Sequence, residues 1–200
     1  MKILESLKQI NEEKEKCTKC SLHENSKIRC HGYFYPSKQS VNTKIVFIAR
    51  NPGNFKDQEI ASEDVAPFGL QKDPNILKYS EVYFRKLITE LHFTEFHITN
   101  IVKCDSKNNV PTKEQQYQCM HFLAKELNII KPEQIYCLGR EAANLFGLNF
   151  GQFVYNTMWN KKVFVGAVYH PAYIYRNPGM YEKWKKQVNE FQTHSFFKDS

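Results

Sequence analysis

No run of apolar residues in this chain approaches the roughly 20 that a membrane-spanning helix requires. Met1 to Lys16 is a charged helical pattern without the apolar centre of a secretory leader. An intracellular protein with no membrane partner is therefore expected. Internal repeats and low-complexity tracts are also lacking, and residues 193–200 read as a frayed, flexible tail. Acidic residues are outnumbered, 21 against 28 Lys and Arg, and the net charge of +7 favours a polyanionic partner. What the chain does have is enough apolar material for one core. It is 42% hydrophobic with 15 Phe and 11 Tyr in 200 residues, which reads as a single domain over 1–200. Its six cysteines, in an intracellular chain of this size, point to metal or redox use rather than a disulfide framework.

Ile3, Leu4, Leu7 and Ile10 recur at helical spacing, so residues 1–43 read as an amphipathic helix, a CxxC segment and a polar, loop-like stretch. Lys44 to Ala49 is a buried-strand pattern that stops at Asn51-Pro52-Gly53, and the segment from Asn54 to Asn75 reads as an irregular loop over the sheet edge. Further strands are predicted at Phe96 to Val102, Gln134 to Leu138 and Lys162 to Tyr169. Helices are predicted at Tyr79 to Leu91, Thr112 to Ile129, Arg140 to Phe146 and Tyr181 to Phe191, the second opened by Thr112 with Gln115 in capping-box register. Alternating strands and helices argue for an α/β fold of three layers, α/β/α, around a central, mainly parallel four-stranded sheet.

In such a sheet the strands' carboxyl ends lie side by side, and three of them carry polar residues: Asn51, Asn100 and His170. Taken singly, each has a bland reading, since Asn-Pro-Gly is a turn signal without any ligand and a His-Pro turn is commonly structural. Their joint occurrence at one sheet edge marks the place to look for chemistry. Cys17-x-x-Cys20 has metal-binding spacing, and Cys104 and Cys119 can complete four thiolates. Zinc and an iron-sulfur cluster both suit that set, as does a free CxxC beside two buried cysteines. Cys137, inside an apolar strand, reads as core, and Cys30 takes no role.

In order and spacing, CTKCSL (17–22), NPG (51–53), PF (67–68), ITNIVKC (98–104), Cys119, LG (138–139) and YHPAYIYR (169–176) together resemble the uracil-DNA glycosylase superfamily, closest to its iron-sulfur branch. The resemblance implies a 4Fe-4S cluster of structural role on Cys17, Cys20, Cys104 and Cys119, with zinc as the lesser alternative. It also implies a monomer acting on DNA. One departure stands out. Iron-sulfur members usually carry Gly-Glu-(Ala/Gly)-Pro-Gly where this chain has Ala49-Arg50-Asn51-Pro52-Gly53. The third position instead looks like the Gly-x-Asn-Pro-Gly of the mismatch-specific and single-strand-selective branches, in which that Asn positions the attacking water.

The residue types suit this chemistry. A uracil-like leaving group carries its charge largely on O2 and O4, so a neutral His170 donating to O2 stabilises the anion by about 2 to 4 kcal/mol. Asn100 offers an acceptor and a donor that match N3–H and O4 of uracil and mismatch cytosine. Phe68 supplies a face for the flipped base, and the Asn51 amide oxygen orients water toward C1′. Backbone amides at Gly53 and at Pro171 to Tyr173 are candidates for phosphate or base contacts. Arg176, with Lys103 and Lys107 as weaker candidates, is expected on DNA phosphates. Arg50 has three readings: a minor-groove contact, a pair with a nearby carboxylate, or a contact to a modification on the base. No lysine is singled out as a Schiff-base nucleophile, so a monofunctional glycosylase is expected. The alternatives are the same reaction on hypoxanthine, mismatched thymine or a bulky modified cytosine of phage DNA, or a catalytically silent nucleic-acid-binding module.

Overall fold

The computed structural model describes residues 2–26, 29–37, 41–52, 67–70, 73, 75, 77, 79–107 and 110–196. Gly53, the connection at 54–66 and residues 197–200 lie outside the described residues, so the expectations for Gly53 and for the loop have no structural counterpart below.

Four strands run parallel in the middle of the sheet: β2 (Ile45–Ala49), β3 (Phe96–Asn100), β4 (Gln134–Leu138) and β6 (Lys161–Val168). β1 (Tyr33–Tyr35) pairs antiparallel with β3, and β5 (Phe153–Met158) pairs antiparallel with β6, giving the order β1-β3-β2-β4-β6-β5. Among the described residues the sheet thus has six strands rather than four, and the two additions are its edges. Neither has the apolar run of a central strand. β1 is three residues long inside a polar stretch, and β5 is largely half-exposed. The turn joining β5 to β6 uses Trp159 and Asn160, both with positive φ, which is the tight-hairpin geometry without the Asn-Gly pair that usually announces it.

The central strands are buried along nearly their whole length because both of their faces are covered. Alternate residues separate the two cores. Val46, Ile48, Ile135, Cys137, Val163 and Val165 pack against α1 (Lys2–Glu15), α4 (Lys113–Ile130) and α5 (Arg140–Asn144). Phe47, Tyr136, Leu138, Phe164 and Val168 pack against α3 (Ser80–Glu90), α6 (Pro171–Arg176) and α7 (Tyr181–Phe196). Cys137, as expected, is core. A short helix, α2 (Leu22–Asn25), follows the CxxC segment. The predicted capping box is formed: the Thr112 hydroxyl accepts from the Gln115 amide, and the Gln115 side chain accepts from the Thr112 amide. The last helix runs to Phe196, past its predicted end at Phe191 and into the expected tail. Among the described residues no helix is long and apolar enough to cross a membrane.

Candidate active site and cysteine cavity

Parallel register brings the polar strand ends together. Ala49 pairs with Asn100, and the chain beyond stays paired, with Ile101 N–H donating to Ala49 O and Val102 N–H to Arg50 O. Asn51 therefore emerges beside the end of β3, while His170 leaves β6 two residues after Val168 pairs with Leu138.

His170 caps α6, and the Ala172 N–H donates to its Nδ1 at 3.1 Å. A backbone amide can only donate, so Nδ1 carries no proton and the proton of the neutral ring sits on Nε2. Burial, together with the positive charges of Arg50 and Arg176, lowers the His170 pKa to about 4. The ring is thus a neutral Nε2–H donor at physiological pH. The same geometry corrects one expectation. The amides of Ala172 and Tyr173 are committed to His170 Nδ1 and to His170 O, and so do not serve a phosphate.

Phe68 packs beside His170, with ring centroids 5.4 Å apart, and beside Phe84 at 4.7 Å. Its φ of 54° holds the ring in a backbone conformation uncommon for a bulky residue. Asn100 is 3% exposed, and its Nδ2 donates to Cys30 Sγ at 3.1 Å. Cys30, given no role by the sequence, is thus the partner of the base-selecting candidate. Asn51 donates from Nδ2 to Pro52 O (2.8 Å) and Ser106 Oγ (3.0 Å), while its Oδ1 accepts from Arg50 Nε at 2.7 Å. Arg50 also pairs with Glu141 at 3.6 Å, so of its three readings the carboxylate pair is the one observed.

Arg176 is exposed in the last turn of α6, and Lys107 is also exposed. Lys103 is not available to DNA. It is 1% exposed, and its Nζ donates to Glu126 Oε2 (2.7 Å), Thr99 Oγ1 (2.7 Å) and the Asn100 carbonyl (2.6 Å). Glu126 also pairs with buried Lys14 and accepts from Thr99 Oγ1 at 2.8 Å. This buried network was missed, although Glu126 gave a signal. It lies three and four residues after Leu123 and Phe122 on the apolar stripe of α4, where a carboxylate requires a partner.

Cys17, Cys20, Cys104 and Cys119 line one cavity, together with Lys14, Lys19, His23, Arg29 and Lys103. The CxxC segment leaves α1 and is closed by His23, whose amide and ring both meet the Cys20 carbonyl. Cys104 bridges to Arg29, and Cys119 Sγ accepts from the Lys103 amide at 3.3 Å. Burial, reinforced by the neighbouring thiols and opposed by Arg29, pushes Cys104 up to about 12, and burial raises Cys119 as well. Each thiolate formed there disfavours the next, a repulsion that a cationic metal group relieves. Among the described residues no three His, Cys, Asp or Glu side chains converge as ligands of a single ion.

These features can be set beside known proteins. The family model described as "Uracil DNA glycosylase superfamily" matches residues 36–192. A type-4 uracil-DNA glycosylase of Archaeoglobus fulgidus is 32% identical, the match covering 94% of this chain and 92% of that protein. One of Thermotoga maritima is 28% identical over 84% of this chain and 82% of its own. A type-5 uracil-DNA glycosylase of Pyrobaculum aerophilum is 33% identical over 42% of this chain and 39% of its own length. The extent of the match leads to one conclusion: this chain belongs to the uracil DNA glycosylase superfamily, in its type-4 branch.

Proposed function

We propose that the protein is a monofunctional DNA glycosylase that hydrolyses the N-glycosidic bond of uracil in DNA and leaves an abasic site. The carrying observation is the fixed tautomer of His170. With Nδ1 occupied by the Ala172 amide, the Nε2–H is a donor for O2 as the C1′–N1 bond breaks and its electron pair leaves with the base. Water adds to the electron-poor C1′ and loses a proton to solvent. Asn51 orients that water through Oδ1, which keeps a second lone pair beyond the one used by Arg50. Asn100 reads the base edge. Its Oδ1 accepts no hydrogen bond among the described residues and suits N3–H, and the second Nδ2 proton suits O4. Phe68 offers a stacking face, and Arg176 a phosphate contact. With Arg50 committed to Asn51 and Glu141, the reading in which it contacts a base modification loses its support. The enzyme acts on DNA inside the cell, as a monomer.

Purified protein should convert an oligonucleotide containing one uracil into an alkali-labile product and leave the cytosine control intact. Tight binding to uracil-containing DNA without base release from it, or from DNAs carrying other altered bases, would mark a silent binding module instead. The rate should stay level from pH 8 down past the ordinary histidine pKa and fall only near pH 4, where a proton on Nδ1 opposes the Ala172 N–H. A midpoint near 6.5 in the single-turnover rate would contradict the neutral ring.

The cysteine cavity suits a 4Fe-4S cluster held by Cys17, Cys20, Cys104 and Cys119. Four thiols stand around the cavity without meeting at one point, and Arg29, Lys19 and Lys103 supply positive charge for an anionic thiolate-bound group. Such a cluster ties α1, the β3 exit and α4 together, a structural role. Anaerobically purified protein should be brown and contain iron and sulfide in equal amounts. Chelation should lower its melting temperature. A colourless protein with stoichiometric zinc would overturn the assignment without affecting the glycosylase reading.

A further inference from the structure

We propose that Arg50 is a positioning residue: clamped by Glu141, it fixes the carboxamide of Asn51 in the orientation that presents Oδ1 to the attacking water. This rests on the reading of Asn51 as the water-orienting group. An asparagine amide has two orientations that differ only in which end carries oxygen, and the wrong one would present NH2 where an acceptor is required. Here partners of one-way chemistry decide between them. The guanidinium can only donate, and its Nε lies 2.7 Å from Oδ1. The Pro52 carbonyl can only accept, and it lies 2.8 Å from Nδ2. Ser106 Oγ, 3.0 Å from Nδ2, completes the set. Turning the amide over would set donor against donor at Arg50 and acceptor against acceptor at Pro52.

Arg50 is itself held. Its Nη1 faces the Glu141 carboxylate at 3.6 Å, so the end of β2 is tied to the start of α5 across the sheet edge. The side chain is 32% exposed, which leaves the pair modest in stability but well placed to order its neighbour.

The test is a double-mutant cycle in single-turnover uracil release, with DNA affinity measured separately. Arg50→Met removes the donor at similar length and is expected to slow release by about 10- to 100-fold with DNA affinity changed less than about 3-fold. Arg50→Lys, which restores a donor, should recover most of the rate. In an Asn51→Ala background, Arg50→Met should have no further effect, because its action passes through the missing amide. A full-sized effect in that background, or an Arg50→Met rate within about 3-fold of the parent, overturns the proposal. The side-chain amide signals of Asn51, followed by NMR in DNA-free protein, give a readout independent of activity. They should shift between the parent and the Arg50→Met variant in step with loss of the hydrogen bond, and unchanged signals overturn the proposal too. If the parent releases no uracil at all, the functional reading fails, while the NMR comparison still decides the contact.

Discussion

His170→Ala is expected to slow single-turnover uracil release by about 10²- to 10³-fold while leaving salt-dependent DNA binding close to that of the parent. The expectation follows from where the imidazole acts. A donor aimed at O2 matters little to a neutral base in the ground state and much to the departing anion, so its removal falls on the chemical step. The ring is also poorly replaced. Its Nδ1 caps α6 through Ala172, and Phe68 packs on its side, so the Nε2–H direction is held by contacts that do not involve substrate. His170→Gln, which retains a side-chain N–H donor, should recover part of the lost rate. Equal losses of binding and turnover in both variants would make His170 a folding residue and remove the main support for the proposed function.

The second large effect concerns stability. Glu126→Ala should destabilise the protein by at least about 3 to 5 kcal/mol, measured by urea denaturation with the m-value checked for constancy. Glu126, Lys14 and Lys103 are 0%, 0% and 1% exposed, and removing the one carboxylate leaves two ammonium groups in a dry interior. A loss of that size is a large fraction of the roughly 5 to 15 kcal/mol typical of a whole domain. Replacing all three at once by apolar residues of similar volume should restore much of the loss, because the cost arises from uncompensated charge and not from shape. A shift below about 1 kcal/mol for Glu126→Ala would show that the network is not closed from water as described.

Acid should act through the same region. Lysines and the histidine beside it, together with hydrogen bonds, hold the Glu126 pKa down to about 2 against the opposing effect of burial, so its contribution is present above the ordinary 4.5 and fades as pH falls toward 2. Burial lowers His97 to about 3, and the unfolded chain therefore takes up the imidazole proton first as pH drops below 6.5. Both groups bind more protons unfolded than folded in these ranges, so stability should rise with pH from about 3 to 6.5.

The network bears on the site because Lys103 joins its two halves. Its amide donates to Cys119 Sγ, and its ammonium holds the Asn100 carbonyl. The cysteine cavity and the base-reading candidate therefore share one residue. A lysine between an Asn and a Cys in ITNIVKC looks from the sequence like a surface cation near DNA. The fold turns it inward, toward a carboxylate 23 residues away.

Short-range physics made much of this protein legible in its amino-acid order. The apolar runs of β2, β3, β4 and β6, the capping box of Thr112 and Gln115, and the polar residues placed where those runs stop all depend on neighbours within a few positions. Those features carried the parallel sheet, the shared edge for Asn51, Asn100 and His170, and the family resemblance. The edge strands β1 and β5 depended instead on pairing with distant partners, since neither has the burial pattern of a central strand. The tautomer of His170, the partner of Arg50, the Cys30 contact to Asn100 and the inward turn of Lys103 were likewise decided only by tertiary structure. A polar side chain takes the proton state and the partner that its folded surroundings can satisfy, and those surroundings come from remote parts of the chain.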